Sequence, residues 1–317
     1  MEKRFEQILD IALRKKTTDI HFTIFDNECS IQIRTINGLE KIPPETDDIK
    51  LFNFLQYQAH LNIAGMNRPQ SGSFSYFHND KFLDFRFSVV TTLRLKNGVL
   101  RILSGSGKLS LADLTTELDI QKQLSEWFKM RSGLVLFTGL TGSGKTTTIY
   151  SLLNMIKGKT IYSLEDPIEI QHDNMIQLEI NEQIGFGYNE GIKQILRHNP
   201  DIIMIGEIRD EIAAKMCIRA ALTGCLVVSS LHASSTISAI HRLLELGISK
   251  GELKACLVGI SNQRLLKVYQ QDRYTCIYDI LDQQAIDEYF SNPDEKYVKM
   301  DQKVQLAIKK HEIEPVI

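Results

Sequence analysis

The sequence predicts an α/β protein in two parts: a small α+β domain over residues 1–104 and, past a linker at 105–114, a larger α/β domain over 115–317 that ends in further helical segments. Three observations predict it. Residues 1–104 mix helix-period segments with alternating strands. "SGSGKLSLADL" then breaks that pattern with Ser and Gly. From about residue 115 short apolar runs alternate with helical segments, as strands buried on both faces by crossover helices do.

Taken in order, Phe5, Ile8, Leu9, Ala12 and Leu13 recur at helical spacing, and "DIHFTIF" and "SIQIRTI" alternate as strands before an Asn37-Gly38 turn. "LFNFLQYQAHLNI" reads as a helix. "FLDFRFSVV" and "GVLRIL" read as a strand pair, with Asn97-Gly98 marking the turn. In the larger part the order is "LVLF", a helix from Thr146, "TIYSL", "MIQLEI", a helix at "GIKQILRH", "DIIMIG", the helix "EIAAKMCIRAAL" and "CLVVSSL". "TISAIHRLLELG", "GELKACLVGISNQRLL" and the lysine-rich stretch 294–312 read as additional helices, and there is no internal repeat.

With 317 residues, 43% hydrophobic and 24% charged, the chain can bury a substantial core. A formal net charge of −2 argues against direct nucleic-acid binding, so the expected partner is protein. Five widely spaced cysteines without a C-x-x-C pair suit a reducing cytosol. No apolar run approaches the roughly 20 residues of a spanning helix, so a cytoplasmic protein is expected, reaching the membrane through a protein partner.

The motif that decides the chemistry is "GLTGSGKT", Gly139 to Thr146, which matches the phosphate-loop spacing G-x-x-x-x-G-K-[ST] between an apolar strand and a helix. Gly139, Gly142 and Gly144 let the backbone turn tightly, and the N–H groups of Thr141, Ser143 and their neighbours through Thr147 then face phosphate oxygens. Lys145 would reach the β and γ phosphates and Thr146 would ligate Mg²⁺. "DIIMIG" ends on Glu207. A carboxylate at the mouth of a buried strand is either a solvated strand-end acid or one that faces a counter-charge. Beside a phosphate loop the second reading gains, with Glu207 at the Mg²⁺ shell. "SLEDPIE" offers Glu165, Asp166 and Glu169, one of which could orient the attacking water.

In order along the chain, "GLTGSGKTTT", "SLEDPIE", "RHNPDIIMIGEIRD" and "ALTGCLVVSSLHA" resemble the secretion ATPases of type II secretion systems, type IV pili and competence pseudopili. "TDIHF", "RPQSGSF", "DFRFS" and "GVLRIL" extend the resemblance through the first part, down to about residue 281 overall. The short first domain and "LHASSTISAIHRLLELGIS" are most similar to the Gram-positive competence branch. The resemblance implies a homohexamer whose subunits pair a PAS-like domain with a RecA-like ATPase domain. It also implies ATP and Mg²⁺, a pilus inner-membrane platform protein as partner, and pseudopilus assembly for DNA uptake. By position, Glu165 falls on the water-activating acid, Glu207 on the acid near Mg²⁺, His232 on a γ-phosphate sensor, and Arg86 and Arg101 on arginines that approach the phosphates.

From the residues alone other readings stay open. Arg86 and Arg101 suit solvated strand positions, His232 suits a strand end, Arg209 and Asp210 suit a mutual pair or a helix cap, and Glu165 and Glu207 compete for one role. Two departures from the family pattern stand out. Cys225 replaces the first histidine after "TG", and the four-cysteine zinc module is missing, so no structural zinc is expected. A retraction or conjugation motor shares every motif. A small-molecule kinase lacks support from the acidic and histidine boxes, and a low-turnover nucleotide-dependent scaffold is the remaining alternative.

Overall fold

Phe5, Ile8, Leu9 and Ala12 are all fully buried, so α1 (Glu2–Arg14) forms by turning that one face inward. The computed structural model describes residues 1–315 except 16, 27, 36–37, 64–68, 93, 104–108, 169, 182–184, 272 and 293–299. Glu169 and the Asn37 half of the expected first turn therefore lie outside the described residues. The chain divides into two compact units, one of Met1–Gly107 with Pro167–Gln171 and one of Lys108–Asp166 with His172–Ile317.

In the first unit β1 (Asp19–Phe25), β2 (Glu28–Thr35), β3 (Gly38–Ile42), β4 (Gln70–His78), β5 (Lys81–Thr91) and β6 (Leu95–Leu103) form an antiparallel sheet in the order β3-β2-β1-β6-β5-β4. One face carries Ile20, Phe22, Phe85, Phe87, Leu100 and Ile102 into a core closed by α1 and by α2 (Asp48–Gln58) through Leu51, Phe52 and Leu55. The expected turn at Asn97-Gly98 is corrected: β6 runs through it, with Gly98 opposite Phe22 and Val89. The glycine serves packing instead. A Cβ there would come within 2.6 Å of the Phe52 ring and 2.8 Å of the Phe87 ring. The reversal lies between β5 and β6, where Thr92 N–H donates to Leu95 O at 2.8 Å.

The second unit begins with α3 (Leu111–Leu114), capped by Ser110 and Asp113 inside the stretch read as linker, and α4 (Leu118–Trp127). Its sheet contains β7 (Gly133–Thr138), β8 (Ile161–Glu165), β9 (Ile176–Glu179), β10 (Ile202–Ile205), β11 (Leu226–Leu231), β12 (Leu257–Lys267) and β13 (Tyr274–Asp282), ordered β13-β12-β7-β11-β10-β8-β9. All neighbours pair in parallel except β12 with β13. β7, β8, β10 and β11 are buried residue after residue, because helices cover both faces. Leu134, Leu136, Ile203 and Val227 pack against α6 (Tyr188–Arg197), α7 (Glu211–Leu222), α8 (Thr236–Glu245) and α9 (Lys250–Cys256). Val135, Phe137, Met204 and Val228 pack toward α3, α4 and α5 (Lys145–Asn154).

A second correction concerns "GELKACLVGISNQRLL", read above as one helix: α9 ends at Cys256 and the rest is β12. Gly259 allows this because Trp127 lies over it, and a Cβ would come within 2.2 Å of the indole. The chain closes with α10 (Gln283–Ser291) and α11 (Met300–Lys309), which packs Met300, Val304 and Ala307 on Ile277 of β13. Among the described residues no helix is long and apolar enough to cross a membrane.

The packing at Gly98 has a measurable consequence. Valine suits a strand, but its methyl groups would displace two buried rings, so Gly98→Val is expected to destabilise the first unit by about 1–3 kcal/mol. An unchanged urea midpoint for its unfolding would contradict the ring contacts.

Candidate functional site

The carboxyl ends of parallel strands are where an α/β sheet gathers polar groups, because each strand stops there and hands over to a loop. β7, β11, β10 and β8 are neighbours, with Thr138 opposite Leu231 and Ile205 opposite both Ser229 and Leu164. Gly139, His232, Glu207 and Glu165 therefore emerge at one edge.

The loop from Gly139 joins β7 to α5. Gly139 has φ 142°, and a Cβ there would come 2.5 Å from Gln263 O and 2.6 Å from Ser143 Oγ, so both conformation and space require glycine. Gly142 and Gly144 also have positive φ, and Gly144 caps α5. No acidic residue occupies the first turn of α5, so its free N–H groups meet no carboxylate from their own helix. Thr141 and Gly142 are exposed, Ser143 is buried, and Thr146 and Thr147 are half-buried. Lys145 folds back on the loop, donating to Gly139 O at 2.9 Å and Leu140 O at 3.1 Å. Burial pushes its pKa down, and the nearby Glu207 charge opposes that shift.

Glu207 follows β10 with a half-buried carboxylate. One oxygen lies 2.9 Å from His232 Nε2, and the other accepts from Arg209 Nε at 3.0 Å. Arg209 also donates to Asp166 at 3.0 Å, so a chain of polar contacts runs Asp166–Arg209–Glu207–His232. Asp210 takes the capping role, accepting from Ala213 N–H at 2.8 Å at the start of α7. Of the two uses open to Arg209 and Asp210 in the sequence, Asp210 caps and Arg209 reaches back to the strand-end acid.

Glu165 is 3% exposed, and its carboxylate accepts from Tyr150 Oη at 2.5 Å, Ser163 Oγ at 2.6 Å and Gln177 Nε2 at 3.0 Å. Three donors offset the cost of burying it. Tyr150, Ser163 and Gln177 were not singled out in the sequence, since they reach Glu165 from α5, β8 and β9 and only folding brings them together.

Arg86 and Arg101 belong to the first unit, directly opposite one another on β5 and β6. Arg86 donates to Ser71 Oγ at 2.9 Å and Arg101 to Asp19 at 2.8 Å. Burial works against the charge on Asp19, but hydrogen bonds from Arg101 and Thr18 outweigh it and bring its carboxyl below the ordinary value. Two arginines side by side repel. Asp19 relieves only one of them.

Thr146 and Glu207 offer a hydroxyl and a carboxylate, the hard oxygens that Mg²⁺ prefers. Among the described residues no group of three or more His, Cys, Asp or Glu is placed to hold a metal alone. The donor set thus fits an ion carried mainly by phosphate and water, as Mg²⁺ with a nucleotide is.

Cys225 lies elsewhere. It precedes β11 at the end opposite His232, about 20 Å away at roughly 3.3 Å per strand residue. It is 8% exposed, its Sγ contacts Pro200 O at 3.4 Å, and burial pushes its thiol up. Cys225→His is therefore expected to change turnover by less than about tenfold, while lowering stability by about 1–3 kcal/mol through a larger polar ring in a closed space. A turnover gain of several hundredfold at wild-type stability would contradict this placement.

The profile of the type II/IV secretion system protein family matches residues 1–303. Competence protein ComGA of Bacillus subtilis is 33% identical over 271 residues, 84% of this chain and 76% of that protein. Type II secretion system protein E of Pseudomonas aeruginosa is 35% identical over 266 residues, 82% of this chain and 53% of that protein, so the chain spans about half the length of this relative. Among solved structures, the pilus retraction motor PilT with bound ADP matches with a TM-score of 0.75 at 26% identity, covering 98% of this chain and 94% of that one. The α/β architecture is that of the secretion ATPases, a small N-terminal domain and a RecA-like domain. With a match across nearly its whole length, the chain belongs to the type II/IV secretion system protein family.

Proposed function

We propose that this protein hydrolyses ATP with Mg²⁺ and, as a cytoplasmic homohexamer held at the membrane by a pilus platform protein, uses the reaction to assemble a competence pseudopilus for DNA uptake. The observation that carries the enzymatic part is the glycine-turned loop at the acid-free N-terminus of α5, on the same sheet edge as the Glu207–His232 pair. The similarity to an ADP-bound pilus motor and to competence proteins ComGA supports the wider role.

In this reading the backbone of Gly139–Thr147 cradles the phosphates and Lys145 leaves its loop carbonyls for phosphate oxygens. Thr146 and Glu207 would hold Mg²⁺, which when bound would neutralise charge on the phosphates. Glu165 takes the proton of the attacking water. His232 reports on the γ phosphate through Glu207. Arg86 and Arg101 supply positive charge to the transferring phosphoryl group. Nothing in this scheme uses direct nucleic-acid contact.

The similarity to a retraction motor favours a second reading in which the ring withdraws a pilus rather than building it. One substitution addresses both. Lys145→Ala removes the phosphate contact together with two local hydrogen bonds to the loop, and the purified protein is expected to keep its fold and lose ATP hydrolysis. Hydrolysis at the wild-type rate would overturn the loop assignment. In cells carrying the variant, absence of surface pili supports assembly, and accumulation of pili supports retraction.

A further inference from the structure

β12 runs beside β7, pairing Ser261 with Phe137 and Asn262 with Thr138, and then continues past the point where β7 gives way to the phosphate loop. The next residue, Gln263, stands against the loop itself, its backbone oxygen 2.5 Å from where a Gly139 Cβ would be. Asn262 and Gln263 are both buried amides, at 1% and 0% exposure. As consecutive strand residues they point to opposite faces of the sheet.

Their closest hydrogen bonds go to the site, and a longer one runs from Gln263 Nε2 to Cys276 Sγ on β13 at 3.9 Å. Asn262 Nδ2 donates to Thr138 Oγ1 at 2.9 Å, immediately before the loop, and to Ala233 O at 3.1 Å, immediately after His232. Gln263 Nε2 donates to Ser143 O at 2.8 Å within the loop and to Thr148 Oγ1 at 3.1 Å on the first turn of α5. Thr148 in turn lies 2.9 Å from Tyr278 Oη on β13. One amide thus ties the loop's entry to the segment carrying His232, and the other ties its exit to α5.

We propose that Asn262 and Gln263 are positioning residues of the nucleotide site, Gln263 holding the phosphate loop in its binding shape and Asn262 fixing the loop relative to His232. The inference rests on the reading of Gly139–Thr146 as a nucleotide site. The two residues then affect different quantities. Gln263 shapes the surface that meets the phosphates, so it governs affinity for nucleotide. Asn262 sets the loop against the histidine segment, so it governs turnover more than affinity. Gln263 also leaves its Oε1 buried without a hydrogen-bonding partner among the described residues, so the amide is held through its donor side alone.

The test uses volume-matched replacements, measuring MgADP affinity by calorimetry, ATP turnover, and the melting temperature without nucleotide. Gln263→Met fills the same space and removes both donors and the orphaned acceptor. It is expected to weaken MgADP by about tenfold or more while melting within about 3 °C of wild type. Asn262→Leu is expected to keep MgADP affinity within about threefold and to lower kcat about tenfold or more. If Gln263→Met fails to fold, Thr148→Val breaks the same tie from its other end and is expected to weaken MgADP in the same direction. If Asn262→Leu fails to fold, Asn262→Asp keeps the shape without the donor, with the same split expected. Wild-type protein and Lys145→Ala serve as controls. Failure of wild type to bind MgADP overturns the nucleotide reading and the positioning proposal with it. Binding by wild type and not by Lys145→Ala, together with wild-type affinity in folded Gln263→Met or Thr148→Val, overturns the role of Gln263 alone. Unchanged kcat in the folded Asn262 variant overturns the role of Asn262.

Discussion

The turn at Gly139 is the constraint on which the second unit depends. Its φ of 142° and the 2.5 Å approach of Gln263 O leave room for no side chain, so the strand before it, the strand beside it and the helix after it are fixed together. β7 must lie between β12 and β11 for both of its edges to be paired, and that places the loop next to the His232 segment. Once β11 takes its place, β10 and β8 follow outward, bringing Glu207 and Glu165 to the same edge. The order of strands is therefore also the order of site residues.

Charge at that edge is arranged for orientation more than for stability. Arg209 is about half exposed, and ion pairs of that kind contribute little to folding, about 0–1 kcal/mol each. What the Asp166–Arg209–Glu207–His232 chain does is hold the two oxygens of the Glu207 carboxylate between Arg209 and His232. Glu165 differs. It is buried and accepts hydrogen bonds from Tyr150, Ser163 and Gln177, which take the place of water around its carboxyl group. Two carboxylates on neighbouring strands thus meet different surroundings, the arrangement that lets two acids take different roles.

The tight turn between β7 and α5 was legible in the sequence because its glycines answer a backbone requirement that few other residues meet, and because the strand and helix around it are strongly patterned. Glu207 was legible for a similar reason, as an acid that ends a wholly apolar strand. β12 was not: "LVGISNQRLL" continues the helical spacing of α9, and only Trp127 packed over Gly259 and the paired edge of β7 make it a strand. Asn262 and Gln263 were lost with it, although a pair of amides inside an apolar run is the signal a buried polar network leaves. At Gly98 a turn-like dipeptide proved to be space for two phenylalanine rings. Cys225 was noticed for its type, but sequence gives no distance, and the strand it precedes carries it to the far edge of the sheet.

In the proposed function, Gly139–Thr147 and the ends of β10 and β11 form one nucleotide site. Hydrogen exchange of the full chain, followed by mass spectrometry with and without Mg²⁺ and a non-hydrolysable ATP analogue, addresses it directly. The account predicts that nucleotide protects the loop and first turn of α5, residues 139–148, together with the segments around Glu207 and His232. Protection elsewhere with none at 139–148, or no protection at saturating nucleotide, would contradict it.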